Sequence, residues 1–223
     1  MSTSKTPKSK MIKYILDDIK KTNEELWKKG IVRDDRGAST KQTGHDSWEI
    51  SFSGKNDSGS IILDKHITAT EIIEVLLENL QYTLLLYDKG IIQAEYEISN
   101  DKIVKERLVF MKKHNKIWDF KEIDAYEAED KDWFMEEDGV PIMLRVDYAP
   151  DDHIDGEHAA THLTLSNHEC CRIPIKGVVT FSEFVRFVLL HFYDIKLDKS
   201  VFRFDEEDTI TNLEKQMMHI NWN

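Results

Sequence analysis

Residues that punctuate or cross-link a fold are scarce here: among 223 residues there are two cysteines, four prolines and nine glycines. The cysteines, Cys170 and Cys171, are adjacent, and neighbours on a strand point to opposite faces, so they do not frame an ordinary disulfide and fit a reducing compartment. No segment approaches the roughly 18 uninterrupted apolar residues of a membrane helix. The start, Met1 to Lys10, is a Ser, Thr and Lys tail without the apolar centre of a secretory signal. A basic excess is missing as well: 42 Asp and Glu against 30 Lys and Arg give a formal net charge of -12. That charge repels polyphosphate unless basic residues are concentrated locally, and it argues against unspecific nucleic-acid binding. Together these absences predict a cytoplasmic protein without a membrane partner.

What is present is ordinary globular material. Hydrophobic residues at 40% and aromatics at 10% suffice for a core. The organisation expected is a disordered tail over 1–10, a single domain over 11–197 carrying an acidic loop at 112–139, and a C-terminal helical appendage over 198–223. From Met11, the residues Ile12, Ile15, Leu16, Ile19, Leu26 and Trp27 recur at helical spacing and Gly30 ends the pattern. Residues 34–46 read as a polar loop, and Trp48, Ile50 and Phe52 as a strand that 59–63 could pair with as a hairpin. Thr68 with Glu71, and Thr180 with Glu183, have the spacing of capping boxes that start helices, the second apolar on most sides. Between them lie an apolar run at 82–87, a turn at Asp88, Lys89 and Gly90, and an alternating strand from Ile92 to Ile98. Asn100 and Asp101 turn that strand into another carrying Arg107, and Ile210, Leu213, Met217 and Ile220 suggest a short final helix. Hairpins flanked by helices that do not alternate with single strands predict an α+β fold. Its sheet is largely antiparallel, of about seven to eight strands, packed with helices and bounded by N- and C-terminal helices.

The candidate site lies in 141–193. Met143, Arg145 and Asp147 alternate with Leu144, Val146 and Tyr148; His162 and Thr164 alternate with Leu163 and Leu165; Arg172 alternates with Cys171 and Ile173. Residues two apart on a strand share a face. If the three strands pair, Arg145, Asp147, His162, Thr164 and Arg172 gather on one side and the aliphatics on the other. The arginines offer forked donors to a carboxylate or phosphate, Asp147 can orient an arginine or a histidine, and His162 titrates near neutrality.

The strings Gly90-Ile-Ile-Gln-Ala-Glu-Tyr96, Glu106-Arg-Leu108, Leu144-Arg-Val-Asp-Tyr148, His158-Ala-Ala-Thr-His-Leu-Thr-Leu-Ser166 and Cys171-Arg-Ile-Pro174 resemble a family of bacterial proteins described only as a domain of unknown function. The resemblance implies no activity. It adds Gln93, Arg107 and His158 to the candidate ligand-binding residues. Some uncharacterised bacterial families of this kind belong to phage-defence systems, which is association and not mechanism.

Three sharper patterns occur in the sequence. His158 and His162 stand four apart, as zinc ligands on a helix do, but His162-Leu-Thr164-Leu reads as strand and no Glu follows His158, so neither a metal nor a cofactor is expected. His162-Leu-Thr164 matches the His-x-Thr element of two-histidine phosphoesterases; the second copy, His66-Ile-Thr68, falls where Thr68 is needed as a helix cap. Arg186 and His191 fit the loose Arg-x4-His pattern of certain ribonuclease helices, with a core histidine as the simpler expectation. The sequence points to a binding or regulatory module of a multi-protein system, engaging an anionic ligand or a protein partner on its polar face; the apolar helix at Phe184 to Phe192 and the terminal helix ending in Trp222 could bury against another chain in a homo-oligomer. The alternative is a phosphodiesterase or nuclease-like enzyme, with His162 and Thr164 as catalytic residues and Arg145 and Arg172 holding phosphate.

Overall fold

The computed structural model describes residues 9–52, 66–113, 140–166, 171–199, 202–204 and 208–221. The expected strand return at 59–63, the acidic loop beyond 113 with its aromatics, Cys170, the 1–8 tail and Trp222 lie outside the described residues. Helix α1 (Lys10–Lys28) starts where the Ser9 hydroxyl accepts the Ile12 N–H, and it turns Ile12, Ile15, Ile19 and Leu26 inward. Gly30, at φ +69°, releases the chain into β1 (Val32–Asp35) and β2 (Ala38–Gln42). The polar stretch expected to be a loop is therefore two strands. β2 is an edge strand whose side chains are largely in water, so it shows no apolar alternation and owes its conformation to pairing with β3 (Ser47–Phe52).

Helix α2 (Ala69–Glu78) begins at the capping box, with Thr68 and Glu71 exchanging side-chain and backbone bonds. β4 (Leu84–Leu86) and β5 (Ile91–Ser99) follow, and Asn100 and Asp101, both at positive φ, turn β5 into β6 (Lys102–Lys112). Then come β7 (Ile142–Tyr148), β8 (Thr161–Leu165), the two-residue β9 (Ile173–Pro174) and helix α3 (Phe181–Tyr193), which opens on the Thr180 capping box. The nine strands among the described residues form one sheet whose pairs are antiparallel, in the order β1-β4-β5-β6-β7-β8-β9, with β3 on the outer half of β5 and β2 beyond it. The chain has the expected α+β architecture, and its described residues alone supply one strand more than the upper expected number.

One face of the sheet, including Ala94, Leu108, Phe110, Leu144, Val146 and Leu163, packs with α1 and α3 into the larger core. The other face carries Ile91, Val109, Met111 and Met143 against Ile72, Ile73 and Leu76 of α2. α3 is less apolar than expected: Phe181, Phe184, Val185, Val188 and Leu189 are buried, while Leu190 and His191 are exposed, so His191 is not a core histidine. The tail forms a single 3-10 turn at Glu214–Gln216 in place of the expected helix. It is held by Thr211 and Glu214, which exchange backbone and side-chain bonds, and by a parallel bridge from Ile220 to Ile175 beside β9. No described helix is long and apolar enough to cross a membrane.

Candidate functional site

The register of β6, β7 and β8 builds the polar face. Arg107 lies opposite Asp147 and Asp147 opposite His162, while Arg145 lies opposite Thr164. Directly paired residues share a face, so five side chains meet on the side of the sheet away from α1 and α3. His162 pairs in turn with Pro174, and Arg172, two residues before it, is close enough for its charge to act on both His158 and His162. Arg145, Asp147, His162, Thr164 and Arg172 therefore converge as the alternation predicts, with Arg107 and His158 beside them.

Asp147 is the hub. Its Oδ1 accepts from Arg107 Nε at 2.8 Å and its Oδ2 from Arg145 Nε at 2.5 Å. Burial would push this carboxyl up, and the two guanidinium groups more than offset that, holding it below the ordinary range. The Nδ1 of His162 lies 2.8 Å from the Ala159 carbonyl, which only accepts, so Nδ1 carries the proton and Nε2 keeps a lone pair, 3.8 Å from Asp147 Oδ2. The His158 ring stands edge-on to it, with centroids 4.8 Å apart. Burial depresses the pKa of both histidines, and the Arg172 charge adds to the effect. At neutral pH the face thus holds three guanidinium groups, one carboxylate and two neutral imidazoles.

Two polar atoms of this face stand out. Arg145 Nη1 and Thr164 Oγ1, on directly opposed residues, are buried and have no hydrogen-bond partner among the described residues. Arg172 likewise makes no salt bridge with a described residue. Gln93 belongs elsewhere. It lies on the same side but two strands from Arg145, roughly 10 Å away at the usual strand spacing, and its amide donates to the Gln81 carbonyl at 2.6 Å, fastening the link between α2 and β4. Glu95, opposite Arg107, extends the charged row and was not singled out from the sequence, although it alternates in register with Gln93.

Other chemistry is not assembled on this face. Thr68 is committed to its capping box, so the second His-x-Thr copy does not form a facing pair with His162. Among the described residues the donors near enough to share one ion are His153, Asp155 and Glu214, within 4.8 Å of one another. Each already has a partner: His153 Nε2 lies 3.3 Å from Glu214, Glu214 accepts the Thr211 N–H at 2.9 Å, and Asp155 accepts the Thr211 hydroxyl. That set ties the loop before β8 to the tail, and its geometry is explained without an ion.

No curated protein and no solved structure matches the chain. A family model described as an uncharacterized conserved protein matches residues 31–222, a span that includes the whole sheet and every residue of the polar face. The chain belongs to that family, DUF2290.

Proposed function

We propose that the polar face is a binding site for a compact anion, either a phosphate-bearing small molecule or a carboxylate presented by a protein partner, and that the chain serves as the binding module of a multi-protein system. The observation that carries this reading is that Arg145 Nη1 and Thr164 Oγ1, on directly opposed residues, are both buried without a hydrogen-bond partner among the described residues. A buried donor left unpaired costs about 1–3 kcal/mol, more for a charged group, and an anion bridging the two would remove that cost. Arg172 supplies a further cation on this face.

The second reading, hydrolysis with His162 as base, draws on the lone pair at His162 Nε2. It needs a substrate hydroxyl or water between Nε2 and Asp147, and His162 keeps only one candidate catalytic partner, Thr164.

Titration calorimetry with inorganic phosphate and with a Glu-rich peptide, alongside a phosphodiesterase assay, tests both. We expect heat from one of these anions in the parent protein and at least about a tenfold loss, near 1.4 kcal/mol, in both Arg145→Gln and Thr164→Val. The valine variant removes an unpaired buried hydroxyl and keeps the shape, so it should remain folded and melt no lower than the parent. Unchanged binding in both variants, or no binding to the parent, sinks the anion site; turnover lost only in His162→Ala would favour the enzyme.

A further inference from the structure

The other side of the molecule carries a basic groove that the polar face does not explain. It lies between the outer surface of α3 and the chain that follows it, with a cavity of about 510 Å³, and Arg186, Lys196, Lys199 and Arg203 line it. Four cations converge here on a chain whose net charge is -12. None of them forms a salt bridge with a described residue, and Arg186 Nε is a buried donor without a hydrogen-bond partner among those residues. The carboxylate in the lining, Glu183, is engaged with the amide and hydroxyl of Thr180 at the start of α3. An adjoining cleft of about 160 Å³ shares Arg186 and Lys199 and adds Lys21, together with Glu25 and Asp198.

Phe187, Leu190, Leu197 and Ile220 give the groove apolar walls, with the His191 ring beside them. Leu190, 39% exposed, faces this groove with Leu197, and the His191 ring lies 4.5 Å, centroid to centroid, from that of Phe187. Small-ligand sites typically occupy about 300–1,000 Å³ and combine apolar walls with a few convergent polar groups. Flat rings beside unpaired cations suit a base that stacks and phosphates that pair.

We propose that this groove binds a nucleoside phosphate, its base against Leu190, Leu197 and the His191 ring and its phosphates on Arg186, Lys196, Lys199 and Arg203. The local concentration of positive charge is the circumstance under which an acidic chain can hold a phosphate ester. The ligand's source is a free nucleotide or a single strand of nucleic acid, and the chemistry recognised is the same.

Fluorescence anisotropy of the full chain with a labelled adenine nucleotide and a short labelled oligouridine, at low salt, tests the groove. Lys199→Glu combined with Arg203→Glu alters exposed side chains, and the bonds that Arg203 makes to Tyr14 use its backbone, so the variant should keep the parent melting temperature. Lys102→Glu combined with Lys105→Glu, on β6 and outside the groove, makes the same charge change as a control. We expect the groove variant to weaken binding at least about tenfold and the control to weaken it less than threefold, about 0.65 kcal/mol. A strand bound about tenfold more tightly than the nucleotide, with a salt slope near -3 for four phosphate contacts, identifies nucleic acid. Equal affinities identify the nucleotide. Absence of binding by both probes, or equal losses in the groove and control variants, overturns the proposal.

Discussion

Asp18 and the two face histidines push stability in opposite directions with pH. Asp18 is buried on α1, where its Oδ2 accepts the Ser182 N–H at 3.1 Å and its Oδ1 has no partner among the described residues. Burial raises its pKa to about 6, with Glu183 adding to the effect against the hydrogen bonds from Ser182. A folded-state pKa above the unfolded value means stability that is present below pH 3.8 and is lost as pH rises through about 6. His158 and His162 are depressed below 6.5, so their contribution is present above that value and falls away as the solution is acidified through their folded-state pKa. At pH 7 a charged Asp18 should cost on the order of 1–3 kcal/mol. Asp18→Asn keeps an oxygen for the Ser182 N–H and removes the charge. It should raise the melting temperature at pH 7 by several degrees, at about 2–4 °C per kcal/mol for a chain of this size. The gain should vanish near pH 4, where both proteins carry a neutral side chain; a gain that does not change with pH would show that burial of the charge is not the cause.

The hairpin between β4 and β5 is closed by a contact that only a glycine permits. A Cβ at Gly90 would sit 2.6 Å from Tyr193 Oη and 3.0 Å from Asp88 Oδ1. That hydroxyl donates to Asp88 at 3.1 Å, Lys112 pairs with Asp88 at 2.6 Å with both side chains under 8% exposed, and the Lys112 ammonium lies 4.9 Å over the Tyr193 ring. Gly90→Ala should destabilise by about 2 kcal/mol or more through overpacking at this knot. Tyr193→Phe removes the obstructing oxygen and one hydrogen bond to the Asp88 carboxylate, costing about 1.5–3 kcal/mol alone. In denaturant titrations the double variant should therefore lose less stability than the two single variants added together, a coupling that neighbouring sites show and distant sites do not. An additive double variant would mean that Tyr193 is not what Gly90 accommodates. Much at this scale is legible in the sequence, because capping boxes, the Asn100-Asp101 turn and period-two alternation are local signals. The alternation around Arg145 and His162 revealed the shared face before any pairing was known. β1 and β2 were not legible, since a polar edge strand is specified by its partner across the sheet. In the tail, Ile210, Leu213, Met217 and Ile220 have helical spacing, but Thr209, Thr211 and Glu214 override it by side-chain bonds to other segments. The basic groove has no local signature either: α3 supplies one wall and Lys196, Leu197, Lys199 and Arg203 the other, set in place by the packing of Phe202 and Phe204 on Tyr14 of α1 and by the Arg203 backbone bonds to the Tyr14 hydroxyl.

Across the whole molecule, the tail acts as a clasp on the polar face. The Ile220 N–H donates to the Pro174 carbonyl at 2.8 Å and the Ile220 carbonyl accepts the Lys176 N–H at 3.0 Å, so the tail lies alongside the short β9. Thr209 Oγ1 donates to the Ile175 carbonyl and accepts from Gly177 N, both at 2.9 Å. Through His153 and Asp155, Glu214 and Thr211 also hold the loop that delivers His158. β9 has only two residues and pairs with β8 on one side, so with so few bonds of its own it depends on the tail for its second edge. A chain ending at residue 207 should keep α1, α2 and β3 to β7, whose pairing does not involve the tail. It should lose protection of the amides at 161–165 and of Ile173 and Ile175, read by hydrogen exchange, relative to those of β5. Because Arg172 stands at the entrance to β9 and His158 on the tethered loop, anion binding at the face should weaken together with that protection, while Arg107, Arg145 and Asp147 remain in register on β6 and β7. If β9 stays protected in the shortened chain, the tail is decoration and the position of Arg172 is fixed by β8 alone.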